Sequence, residues 1–397
     1  MKLLLYSHAF PPSVGGVETI VATLARGLAK PPGAGGGKTA QVTVVTETSA
    51  GKFDDASFPC RIVRRPGIPA LARWIAQSDV VHVAGPAFAP MLLAWLLRKP
   101  YVVEHHGYQA ICPNGVLLQQ PQATVCPGHF QARRYRKCIK CESQEQSWLR
   151  SLIKVALNVP RHFLAKRAAS NVAVSQHVMT RIALPRTTVI YHGLESSSPT
   201  ASLLTPTAPA KSGNIRFGYV GRFVPEKGIS VLLEAAQQLR RSRRDFEVLL
   251  VGDGPLRPQI EDSIRRNDAG EFIRITGFLN GDKLAEVLNS LDAVVMPSIW
   301  EETAGLAAIE QMMRGRLVIV SDIGGLSEIV GDAGLKFPPG DALRLAEQMG
   351  KILEGSTKLP ALGKLAQDRA GSLFDADRML AEHAAVYRGA LKGNSFI

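Results

Sequence analysis

The fold class is indicated most clearly by residues 292–321, DAVVMPSIWEETAGLAAIEQMMRGRLVIVS. Residues 292–296 and 317–321 are short apolar runs typical of buried strands, and the interval between them has the length of one helix. This pattern predicts a βαβ unit of a parallel sheet. Residues 297–305, which are mostly polar or small, connect the first strand to the helix.

Two carboxylates in this segment stand eight residues apart. Glu302 lies at the mouth of the predicted helix and Glu310 lies inside it. If the helix begins near Ala304, Glu310 is roughly 9 Å along its axis. The N–H groups of a helix N-terminus suit an anion such as a diphosphate, so a ligand with sugars on both sides of a diphosphate would reach both carboxylates. The alternative for each carboxylate is a helix cap in solvent, which is the role expected for Glu301.

The Glu-x7-Glu context PSIWEETAGLAAIE resembles the group 1 retaining nucleotide-sugar glycosyltransferases. Further motifs in the same order carry the resemblance over nearly the whole chain. They are residues 1–29, 215–236, 246–261 and 273–279. Two departures leave the identity of the donor more open: Ala304 replaces the aromatic that commonly precedes Gly305, and Tyr191-His192-Gly193 stands where many relatives carry Asn-Gly.

The resemblance implies an α/β fold of the GT-B class. In that fold, two Rossmann-like doubly wound domains face a cleft and a C-terminal helix crosses back to the first domain. We expect an acceptor-binding domain at 1–195, a linker at 196–213 that is rich in Ser, Thr and Pro, a nucleotide-sugar-binding domain at 214–375 and the crossing helix within 376–397. Predicted strands of the first domain are 2–6, 41–46, 80–83, 101–104 and 172–174, and 31–38 is a surface loop.

Two cations follow the first strand of the second domain. Arg222 and Lys227 lie within a strand-to-helix turn and could both reach a β-phosphate, where fixed positive charge lowers the barrier to departure of a nucleoside diphosphate. Two such cations and a helix N-terminus indicate catalysis without a metal. The alternative is a pair of surface cations on a turn.

The resemblance implies further donor contacts. His106, directly before Gly107, would contact the donor sugar, whereas His105 would point the other way in an extended segment. Glu302 is assigned to the transferred sugar and Glu310 to the ribose hydroxyls. The remaining donor-binding residues are small or lie near a strand or helix end, and they are Gly15, Gly16, Gly277, Phe278, Thr303, Gly305 and Leu306.

Four of the five cysteines lie within 30 residues. They are Cys112, Cys126, Cys138 and Cys141, and the last two have the Cys-x2-Cys spacing that suits tetrahedral zinc. A reducing cytosol disfavours disulfides. The cluster predicts a structural zinc; reduced thiols or a role in the acceptor loop are the alternatives.

The net charge of +13 is concentrated in one segment. Residues 133–167 contain ten Lys or Arg against two Glu. The chain has no nucleic-acid-binding module and few aromatics, so we expect no nucleic-acid partner. Apolar residues between the cations fit an anionic membrane face, and a solvated helix face is the equal alternative. The chain start reads as a first strand rather than a signal peptide, which predicts a cytoplasmic protein, peripheral at the inner face of the membrane if the first alternative holds.

The leading interpretation is a retaining glycosyltransferase that moves a hexose from a UDP- or GDP-sugar to a glycan or lipid-linked acceptor. Retention follows from the resemblance alone. A catalytically inactive nucleotide-sugar-binding scaffold is the alternative, and a nucleotide-sugar 2-epimerase is a weaker one because that class lacks this Glu-x7-Glu context.

Overall fold

A computed structural model describes residues 1–29, 40–195, 214–355 and 358–393. The chain forms two compact units. One contains Met1–Leu194 and the chain from Asp375 onward, and the other is Glu195–Phe374. The predicted linker at 196–213 and the predicted loop at 31–38 lie outside the described residues. The last boundary falls one residue earlier than predicted because Asp375 caps the final helix by accepting a hydrogen bond from the N–H of Arg378.

Within the described residues, the N-terminal unit is built on one sheet of seven parallel strands in the order β3-β2-β1-β4-β5-β8-β9. The strands of this sheet are β1 (Lys2–Ser7), β2 (Gln41–Thr46), β3 (Arg61–Arg64), β4 (Val80–Ala84), β5 (Tyr101–His105), β8 (Ser170–Ala173) and β9 (Thr187–Val189). A separate antiparallel hairpin pairs β6 (Leu118–Gln119) with β7 (Thr124–Val125). The central strands are buried along their whole length, which explains their continuous apolar runs.

Helices cover both faces of this sheet, as expected for strands buried on both sides. The helices before the linker are α1 (Gly16–Ala29), α2 (Ile68–Gln77), α3 (Phe88–Leu96), α4 (Tyr135–Glu142), α5 (Trp148–Arg167) and α6 (Gln176–Ile182). Strands β3 and β9 and the hairpin were not predicted. β3 is partly exposed at the sheet edge, so its sequence lacks the apolar run that marks the inner strands.

The second unit repeats the same architecture with a six-stranded parallel sheet in the order β12-β11-β10-β13-β14-β15. Its strands are β10 (Ile215–Val220), β11 (Phe246–Val251), β12 (Ile273–Gly277), β13 (Ala293–Met296), β14 (Leu317–Ser321) and β15 (Leu335–Phe337). Its described helices are α7 (Ile229–Arg240), α8 (Arg257–Arg266), α9 (Gly281–Asn289), α10 (Leu306–Met313), α11 (Gly324–Val330), α12 (Ala342–Glu354) and α13 (Leu359–Leu373). The predicted βαβ unit is therefore present as β13-α10-β14.

The final helix α14 (Ala376–Lys392) belongs to the N-terminal unit. It packs on α1 and on strands β4 and β5. Met379, His383 and Tyr387 are buried at helical spacing on this contact face. An isolated bridge between Leu194 and Asp375 joins the entry of the helix to the end of the first pass of the chain. The helix thus completes the fold of a unit that begins at the other end of the sequence.

Candidate active site

The strand order reverses between β10 and β13 in the second unit, and between β1 and β4 in the first. Ligands of open α/β sheets bind at such switch points, outside the carboxyl ends of the strands. In the second unit the loops at 221–228 and 297–305 follow β10 and β13. The N–H of Ile299 donates to the carbonyl of Glu226 at 3.0 Å and ties one loop to the other.

Glycines allow these loops to approach closely. Gly228 has a φ of +63°, and a Cβ there would lie 1.9 Å from the carbonyl oxygen of Pro297. Gly324 has a φ of +65°, and its Cβ would lie 2.7 Å from both the N and the O of Glu302. The N–H of Gly325 donates to the carbonyl of Glu302 at 2.6 Å. The backbone around Glu302 is therefore held from the α11 side as well as within its own loop.

Lys227 and Glu302 form an ion pair across these loops, with 2.9 Å between Nζ and Oε1. The Ser298 hydroxyl donates to the same carboxylate oxygen. The Lys227 ammonium also lies 5.8 Å from the ring centroid of Trp300. Glu302 is only 6% exposed, so its carboxylate is held by the ammonium and the hydroxyl together. Arg222 is exposed on the loop that follows β10.

Helix α10 begins at Leu306, two residues later than predicted, because Gly305 takes a left-handed conformation with a φ of +62°. Glu310 is therefore about 6 Å along the axis, roughly one turn in. No side chain caps this helix, so its first N–H groups face the loop. Burial raises the pKa of Glu310, and the positive charge of Arg314 partly offsets that rise.

The remaining donor-site residues occupy the same edge of the sheet or its flanks. Gly277 ends β12 with a φ of +77°, and Phe278 directly after it is exposed. Thr303 is buried, whereas Leu306 is half-buried at the start of α10. Their predicted contacts with a donor stay predictions.

In the N-terminal unit, Gly15 directly precedes α1 and Gly16 is its first residue, at that unit's switch point. A Cβ on Gly15 would lie 2.4 Å from Oε2 of Glu18. That carboxylate also accepts a hydrogen bond from the Ser13 hydroxyl at 3.2 Å. The loop is thus held by Glu18, a contact that the sequence did not reveal.

His106 follows β5, but its ring faces other protein groups. Its Nδ1 lies 3.1 Å from Nε2 of His192, and its Nε2 lies 3.4 Å from Oε2 of Glu104. Burial, and then the charge of His106, lowers the pKa of His192 to about 3. His105 points away, with its Nε2 2.9 Å from Oδ1 of Asn171. A contact between His106 and a sugar remains a prediction, and it would have to coexist with these two partners.

The four clustered cysteines are free thiols here, and Cys112 and Cys138 are buried. Asn114 lies between two of them: the Cys112 thiol donates to its Oδ1, and its Nδ2 is 3.9 Å from Sγ of Cys141. Across the described ranges, three potential metal ligands lie within 4.8 Å of one another at two places, and neither contains a cysteine. Both are built around Glu104. The zinc predicted at the cysteines stays a prediction.

Sequence comparison divides the chain in the same way as the structure. Residues 14–197 match the family model described as Glycosyltransferase Family 4, and residues 214–355 match the one described as Glycosyl transferases group 1. The 2-deoxystreptamine glucosyltransferase of Streptomyces kanamyceticus is 35% identical over 179 residues, which are 45% of this chain and 44% of that relative. The glycogen synthase of Mycobacterium tuberculosis strain H37Rv is 27% identical over 259 residues, or 63% and 61% of the two chains. The matches thus span less than two thirds of either relative.

Solved structures match over a longer range. Anabaena HepE in complex with UDP-glucose has a TM-score of 0.71 over 98% of this chain and 99% of that one, at 19% identity. Sucrose-phosphate synthase from Thermosynechococcus elongatus has a TM-score of 0.72 over 98% of both chains, at 22% identity. Two parallel-sheet α/β domains of this kind define the GT-B fold. This chain thus carries a Glycosyltransferase Family 4 domain at residues 14–197 and a group 1 glycosyltransferase domain at residues 214–355.

Several residues of the site region were not found from the sequence. Ser298 and Trp300 lie within the quoted motif, but nothing in their spacing indicates contacts with Glu302 and Lys227. Gly324 offers a weak signal, because a Gly-Gly pair after a strand favours a close backbone approach. His192 was noted only as a departure from the Asn-Gly of relatives.

We predict that Gly228→Ala destabilises the second unit by about 2 kcal/mol or more. The substitution requires a left-handed backbone at a residue with a Cβ and a shift of the Pro297 carbonyl. Urea unfolding followed by circular dichroism measures the effect. Gly270→Ala is the matched control, because a Cβ there meets nothing within 4 Å. Equal stability of the two variants would contradict the close approach.

Proposed function

We propose that this protein is a retaining, metal-independent glycosyltransferase that transfers a hexose from a UDP- or GDP-sugar to a glycan or lipid-linked acceptor. The observation that carries the proposal is the switch point of the second unit. There, Arg222, Lys227 and the uncapped N-terminus of α10 follow neighbouring strands. Positive groups that lie together at the carboxyl ends of neighbouring strands are suited to bind a diphosphate.

In the transfer, the bond between the anomeric carbon and the β-phosphate oxygen breaks. The oxygen of the acceptor hydroxyl forms the new bond to that carbon, and its proton passes to the departing diphosphate. Negative charge develops on the departing β-phosphate. Lys227 and Arg222 stabilise this charge, and the dipole of α10 adds to them. Because these groups are fixed before the reaction, little reorganisation is needed when the charge appears.

Glu302 has a double role in this proposal. Its carboxylate holds the Lys227 ammonium at 2.9 Å, and it also accepts hydrogen bonds from hydroxyls of the transferred sugar. Glu310, one turn into α10, accepts from the ribose hydroxyls. The exposed ring of Phe278 offers a stacking surface for the base. Relatives named for UDP or UDP-glucose complexes favour uridine as that base.

The proposal of a lipid-linked acceptor rests on an exposed surface of the N-terminal unit. Helix α5 has one buried face and an exposed apolar face, with Trp148 63% exposed. The apolar face contains Trp148, Leu149, Leu152, Ile153, Leu157 and Phe163. It continues onto the end of α3, where Trp95 packs edge-on against Phe163 with ring centroids 6.1 Å apart. We call these six apolar residues of α5, together with Trp95, the apolar face.

Cations border the apolar face. Some are paired with other side chains of the protein, and others are exposed to solvent. Lys154 is paired with the buried Glu142 at 2.6 Å, and Arg161 donates to Asn158 at 2.8 Å. Arg150, Lys166 and Arg167 are exposed. An apolar stripe bordered by exposed cations fits the interface of an anionic bilayer. A membrane-bound enzyme could then receive a lipid-linked acceptor there. Along the described chain, no helix is long and apolar enough to cross a bilayer.

An inactive scaffold is the competing function. It would bind a nucleotide-sugar without cleaving it. The ion pair of Glu302 with Lys227 and the burial of Glu302 argue against an inactive scaffold. A protein that only binds the nucleotide-sugar does not require a buried carboxylate beside the ammonium that binds the phosphate. A 2-epimerase remains a weaker alternative and would convert a donor with no acceptor present.

A panel of nucleotide-sugars tests the function. We expect one UDP- or GDP-hexose to stabilise the protein thermally and to be hydrolysed slowly to the nucleoside diphosphate. Hydrolysis should persist in excess chelator, and a loss restored by magnesium would contradict a metal-independent reaction. Stabilisation without any cleavage would support the scaffold, and a changed sugar still attached to its nucleotide would support the epimerase.

Two variants separate the assigned roles. Lys227→Ala removes the cation at the leaving phosphate, so kcat should fall by about 100-fold and UDP should bind more weakly. Glu310→Ala should act mainly on the KM for the donor. Arg241→Ala is the control for Lys227→Ala, because Arg241 is an exposed cation at the opposite end of α7. Similar kcat losses with an unchanged donor KM in both site variants would show that the assignment is wrong.

Sedimentation with vesicles tests whether the protein binds an anionic membrane through the apolar face and its bordering cations. The protein should bind vesicles of phosphatidylglycerol at low salt and be released at high salt, since screening weakens exposed charges. Lys166→Glu with Arg167→Glu should lower binding by about tenfold or more, at ~1 kcal/mol per cation. Arg265→Glu with Arg266→Glu makes the same charge change on exposed residues of the second unit and should have little effect. Absence of binding by the unmodified protein would favour a soluble acceptor.

A further inference from the structure

The interior of the N-terminal unit contains three polar side chains with no exposed surface. They are His82 of β4, Glu104 of β5 and His383 of α14, each 0% exposed. The three come from distant parts of the chain and meet where α14 packs on the two strands. A carboxylate in such a place requires a positive partner, since an uncompensated buried charge costs several kcal/mol.

The ligand atoms of this cluster lie close to one another. Nε2 of His82 is 3.1 Å from Oε2 of Glu104, and Nε2 of His383 is 3.6 Å from Oε1. One atom from each of the three residues lies within 4.8 Å of the other two. None of these four buried atoms has a hydrogen-bond partner outside the histidines and the carboxylate gathered here. The spacings are close to the roughly 3.3 Å between neighbouring ligands around a tetrahedral zinc with bonds of about 2.0 Å.

The outer nitrogen of each imidazole is already occupied. Nδ1 of His383 lies 2.9 Å from the carbonyl of Met379. A carbonyl only accepts, so Nδ1 carries the proton, and Nε2 presents either a lone pair or a second proton to Glu104. Nδ1 of His82 lies 3.0 Å from the hydroxyl of Tyr387. Imidazoles that ligate metals are held in this way, with the outer nitrogen bonded to a carbonyl or another polar group.

We propose that His82, Glu104 and His383 bind one divalent transition metal ion, for which zinc is the best fit. Two imidazoles and a carboxylate are a common zinc ligand set, and softer or harder ions are less suited to it. His106 is a candidate for the fourth ligand, because its Nε2 lies 3.4 Å from the same carboxylate. The ion lies inside the N-terminal unit and has no part in the proposed reaction at the donor phosphates. None of the three ligands belongs to the residues of the proposed reaction, and only the candidate fourth ligand, His106, is also predicted to contact the donor sugar.

The metal would be structural. It joins the last helix of the chain to two central strands and replaces the positive charge that a protonated His383 would otherwise supply. The competing arrangement is that carboxylate–imidazolium pair with no ion. The two arrangements differ in one directly measurable property, the number of metal ions bound per chain.

The cysteine cluster is a second candidate for zinc, so the experiment must separate the two sites. We would express the full chain with Cys138→Ser and Cys141→Ser in medium supplemented with zinc and measure metal by mass spectrometry. About one zinc per chain is expected in this background. Adding His383→Gln should reduce the content to near zero, whereas adding His8→Gln, an exposed histidine outside the cluster, should leave it unchanged.

Cobalt substitution in the Cys138→Ser, Cys141→Ser protein gives a readout that does not depend on the folding of the His383 variant. Cobalt bound by imidazole and carboxylate should show tetrahedral visible absorption without the strong near-ultraviolet band of cobalt–thiolate bonds. Absence of both zinc and cobalt from this folded protein would overturn the proposal and leave the carboxylate–imidazolium pair. A thiolate band would place the ion at the remaining cysteines and would overturn it as well.

Discussion

A parallel sheet offers its ligand a single edge, and the loops leaving neighbouring strands must share it. In the second unit this constraint is met by contact between backbones. Gly228 lies against the Pro297 carbonyl, and Gly324 lies against the backbone of Glu302. A side chain at either glycine would separate the loops. The meeting of Lys227 with Glu302, and the direction in which α10 presents its N-terminus, follow from these two approaches.

The two units solve the problem of a buried carboxylate differently. Glu302 is held by an ammonium and a hydroxyl that lie on the ligand edge of the sheet, so part of its compensation is accessible to a substrate. Glu104 lies among imidazoles in a fully enclosed interior. The first arrangement is suited to exchange partners during a reaction. The second is suited to hold its geometry permanently.

The repeated strand and helix pattern was sufficient to predict parallel α/β sheets and the segment β13-α10-β14, because inner strands of a parallel sheet are continuous apolar runs. The GT-B class itself followed from the family resemblance. The edge strand β3 was missed, since it begins and ends with arginines, exposed Arg61 and half-buried Arg64, and so has no such run. The start of α10 was predicted two residues early, because a left-handed glycine ends the loop at a point that periodicity does not mark. Contacts over long separations, such as His383 with Glu104, depend on packing that no local pattern encodes.

The discontinuous N-terminal unit has a consequence for biosynthesis. Tyr387 lies within 3.0 Å of His82, and His383 lies beside Glu104, yet these partners are separated by about 300 residues of chain. A ribosome at roughly 5–20 residues per second makes the seven strands of the first sheet well before it makes α14. During that interval α14 does not yet cover the newly made sheet, so the Glu104 carboxylate and the apolar surface around it are not yet buried by that helix. The second unit is thus synthesised while the first is still incomplete, and the first is complete only once α14 has been made.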